Sequence, residues 1–208
     1  DAVPASDREI MKLLLYSLAF SDAHAAQLTR WLGRPADEIT IAASDNAADV
    51  VAGSEAWRDT FIQALEERGF KVLRIDLRHW LDHQTGLREA LAAGDVLWLG
   101  GGNTYYLRWL LKATGADDLI VERVRAGTIY AGWSAGAMVA GPTLRHIEAM
   151  ETQEGVPALV LDGLGLTEHM VVPHTAEVPH TAEVPHTAEL LHSVVKLVRI
   201  STVFVSGL

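Results

Sequence analysis

The 208-residue chain contains no cysteine, which excludes disulfides, thiolate catalysis and zinc–thiolate sites and makes a cytoplasmic location the natural expectation. It also lacks an apolar run approaching the ~20 residues that a membrane-spanning helix needs. The stretch Lys12 to Phe20 is too short for that, and Ser21-Asp22-Ala23-His24 after it offers no cleavage pattern, so it reads as a buried first strand rather than a signal segment. Basic residues are scarce: 17 Lys and Arg face 27 Asp and Glu, for a net charge of −10 with no basic cluster. Such a balance argues against nucleic acid or an anionic membrane as a partner.

What is present is an ordinary globular composition, 49% hydrophobic and 21% charged, over a length suited to one domain with a sizeable core. The polar segment Asp1 to Ile10, ahead of Met11, is read as a cloning remnant. Residues 11–208 are read as one α/β domain, truncated at its C-terminus.

Apolar runs alternate with amphipathic ones. Leu13–Leu18, Glu38–Ala43, Lys71–Leu77, Asp95–Leu99 and Thr128–Ala131 read as strands, with later candidates at Met170–Val172 and Val203–Val205. Ala56–Arg68, Gly86–Ala93, Tyr105–Ala113 and Leu119–Arg125 read as helices, with Gly69 and Gly94 as stops. Strands alternating with helices predict right-handed βαβ units and a mostly parallel sheet covered on both faces. Ligands in such sheets bind beyond the strand C-terminal ends. Two Gly-rich turns, at Gly100 and at Gly132, fall at such ends and are expected to face one crevice.

The second of these turns carries the chemistry. Thr128 to Ala131 runs straight into Gly132-Trp133-Ser134-Ala135-Gly136, a Gly-x-Ser-x-Gly sequence followed by small helix-forming residues. This is the pattern of a nucleophile elbow, in which a tight strand-to-helix turn lifts a serine hydroxyl above the sheet. Glycines on either side remove Cβ atoms that would collide in the turn. The N–H of Ala135, next after the serine, is the default first oxyanion donor. The loop Gly100-Gly101-Gly102-Asn103-Thr104 lacks both the Lys-Ser/Thr of a P-loop and the Gly-x-Gly-x-x-Gly spacing, which disfavours a nucleotide site.

A further feature is a near-identical hexad, Val-Pro-His-Thr-Ala-Glu, at residues 172–177, 178–183 and 184–189. Its prolines forbid one continuous helix and its period matches no solenoid. His174, His180, His186 and His192 recur every six residues, which on a helix turns them away from one another, so no metal site and no cofactor is expected.

The Gly100–Thr104 loop, the Gly132–Ala137 elbow thirty residues on from Gly102, and Gly141-Pro142-Thr143-Leu144-Arg145 together resemble the dipeptidase E (peptidase E) family of serine peptidases, with cyanophycinases as more distant relatives. The resemblance spans about Asp95 to His174. It implies a three-layer α/β sandwich similar to class I glutamine amidotransferases. It also implies Ser134 as nucleophile, the proline-preceded His174 after a late strand as general base, and Gly102 as the second oxyanion donor. The acid that the family carries beyond the serine falls here at Ala149, flanked by Glu148 and Glu151, and Glu148 is taken as the candidate. A further family acid follows a late strand, and Val203–Leu208 resembles the approach to it.

Tyr105, Tyr106, Trp109 and Trp133 form an aromatic set suited to an apolar subsite, and Asn103, Trp133 and Tyr105 are taken as substrate contacts. No Lys or Arg lies between Arg145 and Lys196, where the family's aspartyl-specific members carry a basic clamp, so strict Asp-X specificity is not expected. The expected partner is a short peptide substrate, with a homodimer compatible but unspecified. Two other readings stay open: an esterase or amidase using the same elbow, and a catalytically silent amidotransferase-like binding domain.

Overall fold

The computed structural model describes residues 11–145, 147–148 and 150–173, together with the backbone of 196–199 and 202–206. The strands are β1 (Lys12–Tyr16), β2 (Thr40–Ser44), β3 (Lys71–Arg74), β4 (Val96–Leu99), β5 (Ile129–Trp133), β6 (His169–Val172), β7 (Lys196–Arg199) and β8 (Thr202–Ser206). The helices are α1 (Asp22–Leu32), α2 (Arg58–Glu66), α3 (Leu87–Ala92), α4 (Thr104–Thr114), α5 (Ala116–Arg125) and α6 (Ala135–Val139).

Six strands form the main sheet in the order β3-β2-β4-β5-β1-β8. The first five are parallel, and β8 closes the edge antiparallel to β1. β6 and β7 pair in parallel as a separate two-stranded ribbon. The α/β architecture with a mostly parallel sheet, expected from the alternation of apolar and amphipathic runs, is therefore the one observed.

Period-two alternation along β1 divides the core into two layers. Leu13 and Leu15 join Leu97, Leu99 and Tyr130 in a cluster with residues of α3 to α6. Leu14 and Tyr16 join Trp98, Ile129 and Ala131 in a second cluster with Leu28 of α1 and Ile62 and Leu65 of α2. Near-continuous apolar runs such as β4 are what a strand buried on both faces requires. The Trp98 indole N–H donates to the Tyr16 hydroxyl at 2.7 Å, so the polar ends of two buried aromatics satisfy each other. Burial drives the Tyr16 pKa well above the ordinary tyrosine range.

Three elements differ from the sequence expectation. β3 stops at Arg74 rather than Leu77, because Asp76 caps a 3₁₀ turn over Leu77–Trp80 by accepting from the Arg78 N–H at 3.1 Å. β7 was not foreseen. Nor was α1, although its start is a capping box in which histidine stands where Glu or Gln is usual. The Ser21 N–H donates to His24 Nδ1 at 3.1 Å and the His24 N–H to Ser21 Oγ at 3.4 Å. The ring also packs against Tyr16, with centroids 4.7 Å apart.

His24 can accept at Nδ1 only when neutral. Burial, then the positive charge of Arg68, lowers its pKa from the usual 6.5. The folded state therefore takes up this proton less readily than the unfolded chain. Its contribution to stability is full above about pH 6.5 and is lost as pH falls through the depressed folded-state value. Thermal melts at pH 7.5 and 5.5 are expected to show a larger acid-side drop in Tm for the wild type than for His24→Gln. Equal drops would mean that His24 does not titrate with folding.

Candidate active site

Among the described residues Ser134 is the single non-glycine residue with positive φ, at φ 49° and ψ −106°. A side chain held there is strained by roughly 1–3 kcal/mol and persists only where its surroundings fix it. Here they do so from three sides. The Ser134 N–H donates to the carbonyl of Tyr16, at the end of β1, at 3.0 Å. The Gly136 N–H donates to the carbonyl of Gly100 at 3.1 Å, tying the first turn of α6 to the Gly-rich loop. The buried Tyr130 hydroxyl donates to the Gly136 carbonyl. A Cβ at Gly136 would lie 2.0 Å from the carbonyl oxygen of Leu99, so glycine is the residue that permits this approach of helix to strand.

The Gly-rich loop, following β4, lies against the elbow turn. Gly102 has φ +139°, and a Cβ there would lie 2.2 Å from the Ala47 carbonyl oxygen. The same carbonyl accepts the Asn103 N–H at 2.7 Å, which pins the loop against the 3₁₀ turn over Asn46–Ala48. Among the described residues, neither the Gly102 N–H nor the Ala135 N–H meets a backbone acceptor. Two unengaged amide donors on adjoining turns are the arrangement that binds a developing oxyanion.

Asn103 and Tyr105, expected as substrate contacts, have other work. Asn103 is 2% exposed and its amide is consumed. Its Oδ1 caps α4 by accepting from the Tyr106 N–H at 2.8 Å, and its Nδ2 donates to the Thr152 carbonyl at 2.7 Å. Tyr105 is 0% exposed and packs in the core cluster beneath α4 and α6. Its buried hydroxyl has no hydrogen-bond partner among the described residues. Burial, and then the charges of Glu148 and Glu151, raise its pKa. Tyr106 is buried beside it, so α4 turns these aromatics inward, as its helical spacing allows.

Trp133 is half-buried at the end of β5. Its indole N–H donates to the Ser17 carbonyl at 3.0 Å, and its ring stacks on Phe61 of α2 with centroids 3.5 Å apart. Trp57 meets it edge-on at 6.0 Å. Phe61 and Trp57, which fall in the helix expected over Ala56–Arg68, thus join Trp133 beside the elbow. Arg58, beside them, is paired to Asp45 at 3.1 Å and Asp49 at 3.0 Å.

Glu148, the candidate acid, is exposed. Position in the chain offers no reason to prefer its neighbour Glu151, yet that carboxylate reaches the Gly-rich loop. Its Oε2 accepts from the Thr104 N–H at 3.0 Å and the Thr104 hydroxyl at 2.8 Å, and its Oε1 from Asn103 Nδ2 at 3.3 Å. Burial raises the Glu151 pKa, while the Thr104 donors oppose that rise.

His174, the candidate base, lies outside the described residues, as do His180, His186, His192 and the hexad residues beyond Pro173. The strand that leads to it, β6, packs against α6, and the His169 carbonyl lies 3.1 Å from where a Gly141 Cβ would stand, beside the end of that helix. Pro173, the residue before His174, is buried. Among the described residues no cluster of three or more His, Asp or Glu is placed to hold a metal, and no helix is long and apolar enough to cross a membrane.

The model of peptidase family S51 matches residues 47–203. An uncharacterized peptidase of Listeria innocua, Lin0382, is 37% identical over 114 residues, 54% of this chain and 53% of that protein. Peptidase E of Haemophilus influenzae is 37% identical over 120 residues, covering 58% of this chain and 51% of that protein. The chain thus spans about half the length of the curated relatives it matches. A crystal structure from Listeria monocytogenes, provisionally named peptidase E, superposes with a TM-score of 0.74 at 26% identity, covering 95% of each chain. A peptidase from an acI-B1 Actinobacterium shares the fold, with a TM-score of 0.61 at 20% identity over 83% of this chain and 74% of that one.

Gly136→Ala should force the Leu99 strand end and α6 apart. A loss of about 1–3 kcal/mol is expected, the range for overpacking a tight site, read from urea denaturation midpoints at unchanged m. An unchanged midpoint would mean that this contact is not close.

Proposed function

The chain belongs to peptidase family S51, and from that membership and the elbow geometry we propose that it is a serine peptidase hydrolysing short peptides through an acyl-enzyme on Ser134. The observation that carries the reading is the strained, triply braced Ser134 turn beside two unengaged amide N–H groups. A serine hydroxyl is a poor nucleophile at neutral pH and needs a base within reach. In this reading His174 takes the Ser134 proton as Oγ attacks the scissile carbonyl carbon. The carbonyl oxygen gathers negative charge between the N–H groups of Gly102 and Ala135. His174 then gives its proton to the leaving amine as the C–N bond breaks. Water, activated by the same imidazole, attacks the ester and returns Ser134 to its starting state. Glu148 remains the sequence candidate for the acid that orients His174.

The specificity we propose is not strictly Asp-X. No Lys or Arg lies between Arg145 and Lys196, and Arg58, beside Trp133, is engaged by two aspartates. A substrate carboxylate therefore has no dedicated charged partner in either place.

A fluorophosphonate probe is expected to label the wild type on Ser134 and to leave Ser134→Ala unlabelled. His174→Gln should slow labelling by on the order of 10³-fold or more, the scale of losing a triad member. A wild type that never labels would favour the catalytically silent reading. Asp-Leu should be cleaved within about tenfold of Ala-Leu and Met-Leu in kcat/KM. A much stronger preference for Asp-Leu would overturn the specificity reading, and turnover of esters with no turnover of peptides would favour the esterase.

A further inference from the structure

Resting on that reading, we infer that Glu151 is a positioning residue for the oxyanion hole, a carboxylate latch that fixes the Gly102 donor by gripping Asn103 and Thr104. Glu151 belongs to the long segment after α6, far in sequence from the loop it holds. It meets Thr104 twice through Oε2 and Asn103 once through Oε1. Next to it, the Thr152 carbonyl accepts the second Asn103 contact at 2.7 Å.

The grip sits where precision matters. Gly102 immediately precedes the latched pair. On its other flank the Ala47 carbonyl takes the Asn103 N–H at 2.7 Å and lies against the Gly102 Cα. The loop is thus fixed between Ala47 on one side and Glu151 on the other. With both anchors present the Gly102 φ of +139° has little room to relax. A displacement of about 1 Å in a donor can cost on the order of 100-fold in rate. An ordinary N-cap does not require this carboxylate, because Asn103 already caps α4 through the Tyr106 N–H. What Glu151 adds is a tie between the loop and the segment that follows the nucleophile helix.

Charge suits the position. Thr104 begins an 11-residue helix, whose N-terminus favours an anion, and charge-assisted hydrogen bonds are the stronger kind. Glutamine cannot replace the contact fully. Its single carbonyl can serve Thr104, but its amide then faces the Asn103 amide as donor against donor. The latch acts through the loop, so it should change how fast the charged-oxygen state forms, tetrahedral at a peptide carbonyl and pentacoordinate at the phosphorus of a fluorophosphonate, and not how well the reagent first binds.

The test is saturation labelling of the full chain by a fluorophosphonate, resolving the maximal rate kinact from the binding constant KI. Glu151→Ala is expected to lower kinact about 10- to 100-fold with KI within about twofold. Glu151→Gln should recover part of that loss, and Thr104→Val combined with Glu151→Ala should be no slower than Glu151→Ala alone. Glu154→Gln, an exposed carboxylate of the same segment, should match the wild type. If the wild type labels on Ser134 while both Glu151 variants keep its kinact, or lose labelling through KI alone, the latch is refuted and the peptidase reading stands. If the wild type does not label, both fall. Should Glu151→Ala fail to fold, Glu151→Gln with a Tm near that of the wild type decides the question by the same kinact comparison.

Discussion

Everything at the site depends on a backbone held where a side chain does not want to be. Ser134 occupies positive φ because β5 must end and α6 must begin within one residue, above a sheet whose neighbours are already in place. The strain is offset by bonds to three different elements: the β1 end through Tyr16, the β4 loop through Gly100, and the interior of β5 through Tyr130. Tyr16 and Tyr130 are buried in the two core layers, and Gly100 is buried at the end of β4. The elbow is therefore as rigid as the sheet, and rigidity is what a preorganised electrostatic site requires.

The fold explains why the Gly-rich loop and the elbow meet. β4 and β5 are parallel neighbours in register from Val96↔Ile129 to Leu99↔Gly132. Their following turns therefore emerge side by side at one edge. Leu99 and Gly132 are paired residues, so the loop that starts at Gly100 and the turn at Ser134 leave the sheet side by side, and the Gly136–Gly100 hydrogen bond follows. Two clamps of different chemistry then hold the loop, one a backbone carbonyl at Ala47 and one a partly buried carboxylate at Glu151. The half-exposed stack of Trp133, Phe61 and Trp57 forms the wall of the same edge.

Much of this was legible from the chain because it is local. The elbow lies in five consecutive residues whose spacing carries its own steric reason. The parallel sheet followed from apolar runs alternating with helical spacing. What escaped was tertiary or atypical. α1 begins with His24 doing the work of Glu or Gln, a substitution that hides the capping box from a pattern search. Glu151 could not be preferred to Glu148 by position, since what separates them is which one reaches the α4 N-terminus. Tyr105 and Asn103 looked like site residues because they adjoin the loop. The helical turn sends one into the core and uses the other as a cap, and sequence adjacency carries no such direction.

In the proposed mechanism an electrophile on Ser134 directs its charged oxygen between two backbone amides. A crystal structure of the fluorophosphonate adduct tests this most directly. A covalent bond to Ser134 Oγ is expected, with the phosphoryl oxygen about 2.7–3.1 Å from both the Gly102 and the Ala135 nitrogens. An adduct on another residue, or a phosphoryl oxygen turned to solvent away from both amides, would contradict it.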